Sequence, residues 1–241
     1  MSSRIDRVVI TGASSGIGLD LAQRFVAAGS RVLINGRDPE KLERARRRLG
    51  EQHRVVAVAG HVGDAATAQA VATAARGRFG GVDVLVNNAG IFGAKPFLET
   101  TVEDLERFFT TNVRGTFLMT QAIVPLMLED GGSIINVGTT LVEQAMTTLP
   151  VSAAMASKGG VHALTVSLAA ELAKYGIRVN TLAPGIIRTP LIDDPDSLAA
   201  IHPLGHVGEV RDTSDAALFL ATAAFVSGAT LDVDGGYSHG R

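Results

Sequence analysis

Residues 11–18 read Thr-Gly-Ala-Ser-Ser-Gly-Ile-Gly, TGASSGIG. They follow the apolar run Arg7 to Ile10 (RVVI) and open a pattern in which Ile17, Leu21, Phe25 and Ala28 recur at spacings of four and three. A short β-branched run followed by a helical period is a strand feeding a helix. Gly12 then allows the tight turn, Gly16 lets a pyrophosphate approach the backbone, and Gly18 lets the helix pack close to the sheet. The free N–H groups and positive end of the helix favour phosphates. A glycine cluster alone is weak, since glycines also serve ordinary turns, but this one sits between a strand and a helix. The stretch predicts a dinucleotide-binding turn, with Ser14, Ser15 and Ile17 sharing the site with the three glycines.

Working outward, six more runs read as strands: Arg31 to Ile34, Val55 to Val58, Val84 to Val86, Ser133 to Val137, Ile177 to Leu182 and Thr230 to Val233. They are almost continuously apolar, as strands buried on both faces are. Helical periods separate them, among them Val161, Leu164, Leu168 and Leu172. Strand–helix alternation implies right-handed βαβ units and one parallel sheet. The expected architecture is a doubly wound, seven-stranded, Rossmann-type α/β domain spanning residues 1–241. No repeat or linker divides it. The least regular stretch, residues 189–209, is proline-bearing and without a period, and its position marks it as a substrate lid.

Composition narrows the function. The chain has 241 residues, 46% of them hydrophobic and 19% charged, with 22 basic against 24 acidic side chains and a net charge of −2. This balance suits a globular domain with a large core and gives no reason to expect a nucleic-acid partner. The one arginine run, Arg44 to Arg48, reads as a solvated helix face. There is no cysteine, which excludes disulfides and thiolate chemistry. No His and carboxylate spacing suggests a metal site. The first residues carry charges and run into a strand, unlike a signal peptide, and no apolar run is long enough for a membrane span. A cytoplasmic protein is expected.

Taken together, the motifs resemble the short-chain dehydrogenase/reductase superfamily. The glycine spacing is that family's. NNAG at Asn87 to Gly90, Asn112 in TTNVRG, IRVNTLAPGIIRTP at Ile177 to Pro190 and GATLDVDGG at Gly228 to Gly236 match its further motifs, essentially end to end. The resemblance implies an oxidoreductase acting on a carbonyl/alcohol pair. It implies that Asn88, Ala89 and Gly90 border the cofactor, and that Pro184, Gly185, Ile187 and Thr189 hold the nicotinamide. Ile187 would meet the carboxamide through its backbone. The helices before the fifth and sixth strands pair in many relatives, so a homodimer or homotetramer is expected.

Two positions bear on the choice of dinucleotide. An acid at the end of the second strand would bind the adenosine ribose and repel a 2′-phosphate. Here the chain reads Asn35-Gly36-Arg37, and Arg37 can meet a phosphate with a charged fork, so NADP(H) is favoured over NAD(H). After the third strand, His61-Val62 stands where the family usually has Asp–Val. Adenine recognition would then be looser or use the imidazole nitrogen.

The catalytic positions are less regular. In the family, tyrosine and lysine four residues apart share a helix face. The lysine binds the ribose and lowers the tyrosine pKa, and the tyrosine trades a proton with the substrate oxygen. Lys158 is in place, but four residues earlier stands Ala154, and Thr139 replaces the usual serine. The surviving members are Asn112, Thr139 and Lys158. Asn112 is expected to fix a bend in its helix and hold a water linked to the lysine. Three readings stay open: another proton donor, with Glu143, Gln144 and Ser152 as candidates; a non-catalytic NADP(H)-binding regulatory protein or silent subunit; or an engineered Tyr→Ala change. The two tyrosines, Tyr175 and Tyr237, fall away from the gap. His162, His202 and His206 read as structural, interface or surface-loop residues.

Overall fold

The computed structural model describes residues 5–51, 53–190 and 192–240. Seven strands form one sheet: β1 (Arg7–Ile10), β2 (Arg31–Gly36), β3 (Val55–Ala59), β4 (Val84–Asn87), β5 (Gly132–Val137), β6 (Ile177–Pro184) and β7 (Thr230–Val233). All pairings are parallel, in the order β3-β2-β1-β4-β5-β6-β7. Each strand lies within two residues of the bounds read from sequence. The uniform burial expected of them does not hold at β3 and β7, which are the sheet's edges and keep half-buried or exposed positions.

Because successive side chains point to opposite faces, Val8, Ile10, Val32 and Ile34 enter one core while Val9 and Leu33 enter another. The first core is closed by α1 (Gly16–Ala27), α2 (Pro39–Arg48) and α7 (Val210–Thr222). The second is closed by α3 (Ala65–Phe79), α5 (Gly115–Ile123) and α6 (Ser152–Leu172). A short α4 (Val102–Phe108) runs into a π-turn at Phe109–Arg114 before α5. Asp38 accepts hydrogen bonds from the Glu40 and Lys41 amides and so starts α2, with Pro39 in its first turn. The Arg44 to Arg48 run lies on this helix, where Glu40 and Glu43 pair with Arg44, Arg46 and Arg47.

Two helical periods need correction. Ala28 is exposed, and α1 buries Leu21, Ala22, Phe25 and Val26. On α6 the buried line is Ala154, Ser157, Val161, Thr165, Ala169 and Leu172, with Leu164 and Leu168 on its flank. The buried line carries hydroxyls because the sheet below it is polar. Asn87 Nδ2 donates to Asn136 Oδ1 at 2.9 Å, Asn136 Nδ2 to Thr165 Oγ1 at 2.9 Å, and Thr181 Oγ1 to the same Thr165 Oγ1 at 2.9 Å. Three strands and α6 are thereby locked in register beneath Lys158.

Candidate active site

Strand order reverses between β1 and β4, and a crevice opens there beyond the strands' C-terminal ends. A cleft of about 320 Å³ occupies it, within the range of small-molecule sites. Its walls come from the turn after β1, the segment after β4, the end of β5, Lys158 on α6 and the segment after β6.

The turn after β1 is built for close approach. Gly12 has φ +65° and Gly16 φ +54°, values that L side chains rarely adopt. A Cβ on Gly12 would lie 2.8 Å from Ala89 Cα, and one on Gly18 would lie 2.5 Å from Asn88 Nδ2. Asn88 fixes the turn by donating from Nδ2 to the carbonyls of Thr11 (2.9 Å) and Gly12 (3.1 Å). Thr11 Oγ1 accepts in return from the amides of Asn88 (3.1 Å) and Ala89 (3.0 Å). Among the described residues, no side chain caps the N-terminus of α1. Its first amides therefore remain for an anion, and the glycine cradle fits a dinucleotide diphosphate.

The residues read as cofactor-binding divide into two groups. Gly12, Ser15, Gly16, Ile17, Asn88, Ala89, Gly90, Pro184, Gly185, Ile187 and Thr189 line the cleft together with Lys158 and Thr139. Gly18 lies beneath the turn. Ser14 sits against the end of β2, with its Oγ 3.3 Å from where a Gly36 Cβ would be. Arg37 follows, exposed and without an ion pair among the described residues. His61 does not offer a ring nitrogen outward. Its Nδ1 accepts from the Gly63 amide at 3.1 Å, and Nε2 lies 3.4 Å from Thr111 Oγ1. Val62 is buried against Gly115, where a Cβ would come within 2.6 Å of Val62 Cγ2.

Asn112 sits inside the π-turn, buried, and does not reach the cleft. Its Oδ1 accepts from the Ile91 amide at 2.8 Å, and its Nδ2 donates to Ile91 O (3.1 Å) and Ser157 Oγ (2.8 Å). It thus joins the segment after β4 to α6. Lys158 Nζ donates to Val137 O at 2.7 Å and faces Gly90, where a Cβ would lie 3.1 Å from Nζ. Burial, with no carboxylate partner among the described residues, pushes the Lys158 ammonium down to about 8. Thr139 Oγ1 accepts from the Leu141 amide at 3.3 Å at the cleft wall.

Ala154 is 1% exposed and absent from the cleft wall, and it shares an apolar cluster with Phe108, Val151 and Ala153, against which Ile91 and Leu149 pack. Glu143 and Ser152 are exposed, Gln144 is half-buried, and none of the three lines the cleft. Tyr237 is buried, its hydroxyl donating to Gln144 O at 2.9 Å. His206 lies exposed on its loop, but His202 is no surface residue. It is buried, with Nε2 accepting from the Ile186 amide at 3.3 Å and Nδ1 facing Leu198 O, so it braces the turn after β6. His162 lies under Gly138, where a Cβ would be 2.3 Å from its Nε2. In residues 189–209, Thr189, Pro190 and Ile192 reach the cleft, and Arg188 ties the stretch down through Asp196 and Glu209. Sequence reading missed the apolar wall of Ile91, Phe92, Leu141 and Ile192, which loops supply and no period announces.

The enoyl-(acyl carrier protein) reductase family model matches residues 12–238. The 2-(R)-hydroxypropyl-CoM dehydrogenase of Xanthobacter autotrophicus is 39% identical, over 95% of this chain and 97% of its own length. A short-chain type dehydrogenase/reductase from Mycobacterium marinum superposes with a TM-score of 0.93 at 32% identity, covering 98% of this chain and 96% of its own. The 3-ketoacyl-(acyl-carrier-protein) reductase of Brucella melitensis, solved with NADH, gives 0.91 at 36% identity, covering 97% and 98%.

Proposed function

Since the chain belongs to the short-chain dehydrogenase/reductase superfamily of NAD(P)-dependent oxidoreductases, we propose that it interconverts a carbonyl and an alcohol with NADP(H), at an active site that works without the tyrosine. The observation that carries this reading is the convergence of the glycine turn, Lys158 and Thr139 on one cleft.

When bound, the nicotinamide supplies or accepts a hydride. The chain's own residues do the rest. The uncapped amides of α1 and the bare Gly12–Gly16 turn hold the diphosphate. Arg37, exposed directly after Gly36 and unopposed by an acid there, meets a 2′-phosphate. The backbone at Ile187 and the side chain of Thr189 hold the nicotinamide amide. The Thr139 hydroxyl orients the substrate oxygen. The apolar wall of Ile91, Phe92, Leu141 and Ile192 excludes water, which strengthens each of these polar contacts. Loss of a general acid is worth about 10²–10⁴ in rate, and positioning alone retains only weak turnover.

A dimer or tetramer through α5 and α6 belongs to the same reading. Phe117 (47% exposed) and Val166 (61%) support it, as apolar residues left outward on those helices.

The deciding experiment measures NADPH and NADH binding by fluorescence, and carbonyl reduction across a panel, for this chain beside Ala154→Tyr. NADPH binding with measurable reduction by the unaltered chain is expected. Absence of NADPH binding would defeat the proposal.

A further inference from the structure

We propose that Lys158 delivers the proton to the substrate oxygen, taking over the part of the tyrosine one turn before it. The inference rests on the reading of the cleft as a carbonyl-reducing site and names the acid that reading leaves open.

Among the described residues that line the cleft, Lys158 has the only ionisable side chain. Glu143 is exposed and off the cleft wall, Tyr237 has its hydroxyl bonded to Gln144 O, and His202 is held between Ile186 and Leu198. Ala154, at the expected acid position, is buried in one apolar cluster with Phe108, Val151 and Ala153.

Of the three protons on the Lys158 ammonium, one goes to Val137 O at 2.7 Å, which is its one hydrogen bond among the described residues. Gly90 has no side chain to block the approach, and Asn112 Oδ1 flanks the same spot. Among the described residues, no ionisable side chain joins Nζ on the cleft wall from β5, from the segment after β4 or from the segment after β6, and Arg114 of the π-turn is exposed. On its own helix the nearest is His162, whose imidazole burial keeps below its ordinary range, with exposed Glu143 beyond it. With no carboxylate among the described residues to hold the charge, burial pushes the ammonium down to about 8, where an acid for work near neutrality is most effective.

The step balances. As hydride reaches the carbonyl carbon, the C=O electron pair moves to oxygen, the Nζ–H bond breaks and an O–H bond forms. The carbonyl is reduced, the dihydronicotinamide is oxidised, and the neutral amine regains its proton from water. Alcohol oxidation runs the same exchange backwards.

The test has a readout free of turnover. In protein carrying ¹³C-labelled lysine and no dinucleotide, the Lys158 Cε resonance, identified by its loss in Lys158→Met, should titrate near pH 8. With NADPH and either ethyl pyruvate or benzaldehyde, kcat/KM should be level below that midpoint and fall tenfold per pH unit above it. Lys158→Arg keeps the charge but cannot release a proton. It should lose turnover by roughly 100-fold or more while NADPH binding falls by no more than about tenfold. A Lys158 midpoint above 10, or Lys158→Arg retaining rate and pH profile, overturns the proposal. Should that variant fail to fold, the resonance and the profile of the unaltered chain decide alone. Unaltered protein that does not bind NADPH overturns the underlying functional reading instead, so the two failures are told apart.

Discussion

Asn112 on the π-turn donates from Nδ2 to Ser157 Oγ at 2.8 Å, and Ser157 Oγ donates onward to Ala154 O at 2.7 Å. One asparagine therefore fixes the turn of α6 that presents Lys158, and it holds Ile91 from the other side. Both residues are buried, so removal of the amide strands polar groups without water to replace it. Asn112→Ala should lower unfolding free energy by about 2 kcal/mol in urea titration. It should also weaken NADPH binding, because Gly90 and Lys158 lose their common brace. Unchanged stability and binding would mean that the turn keeps its shape without the amide.

Gly18 is held to glycine by two contacts at once. A Cβ there would fall 2.5 Å from Asn88 Nδ2 and 2.6 Å from Gly12 O. Neither neighbour can yield cheaply, since Asn88 is bonded to two carbonyls and the other atom is backbone. Gly18→Ala should destabilise by about 1–3 kcal/mol through overpacking and reduce NADPH affinity by at least roughly tenfold, read by thermal melting and fluorescence titration.

On the proposed reading, Arg37 bears on dinucleotide choice alone. It is exposed at the end of β2 and makes no ion pair among the described residues, so its removal leaves packing intact. A charge-assisted bond to a phosphate is worth about 1.5–3 kcal/mol. Arg37→Ala should therefore weaken NADPH binding by about 10- to 100-fold and leave NADH binding within a factor of about two. Parallel titrations with the two dinucleotides check this, and equal losses for both would remove the 2′-phosphate assignment.

What could be read from sequence is what is encoded locally. The seven strands were visible because β-branched runs state their own backbone preference. The turn after β1 was visible because only glycine suits its positive φ angles. The burial of Ala154 was not, since it depends on Phe108 from a helix 46 residues away in the chain, and no local pattern links the two. Nor was the bracing role of His202, which lies in a stretch without a period and is defined by a hydrogen bond to Ile186 across a turn. On α6 the leucines suggested the buried face, yet the polar ladder of Asn87, Asn136 and Thr181 draws Thr165 inward and leaves Leu164 and Leu168 beside it.

Lys158 also leaves a mark on stability. Its folded-state pKa, about 8 against the ordinary 10.5, is depressed, so folding favours the neutral amine. Below pH 8 the group is charged in both states and the burial penalty is fully present. Between pH 8 and 10.5 the unfolded chain still holds a proton that the folded chain has released, and stability rises with pH across that window. The full gain is roughly 3 kcal/mol. In Lys158→Met this rise should vanish, and at pH 7 the variant should be more stable than the unaltered chain by about 1–3 kcal/mol, the lower end allowing for the lost bond to Val137 O. Urea denaturation of both proteins at pH 7 and at pH 10 measures the difference, in which the titrations of all other groups cancel. A difference that stays constant between the two pH values would place the ammonium in water rather than beneath Gly90.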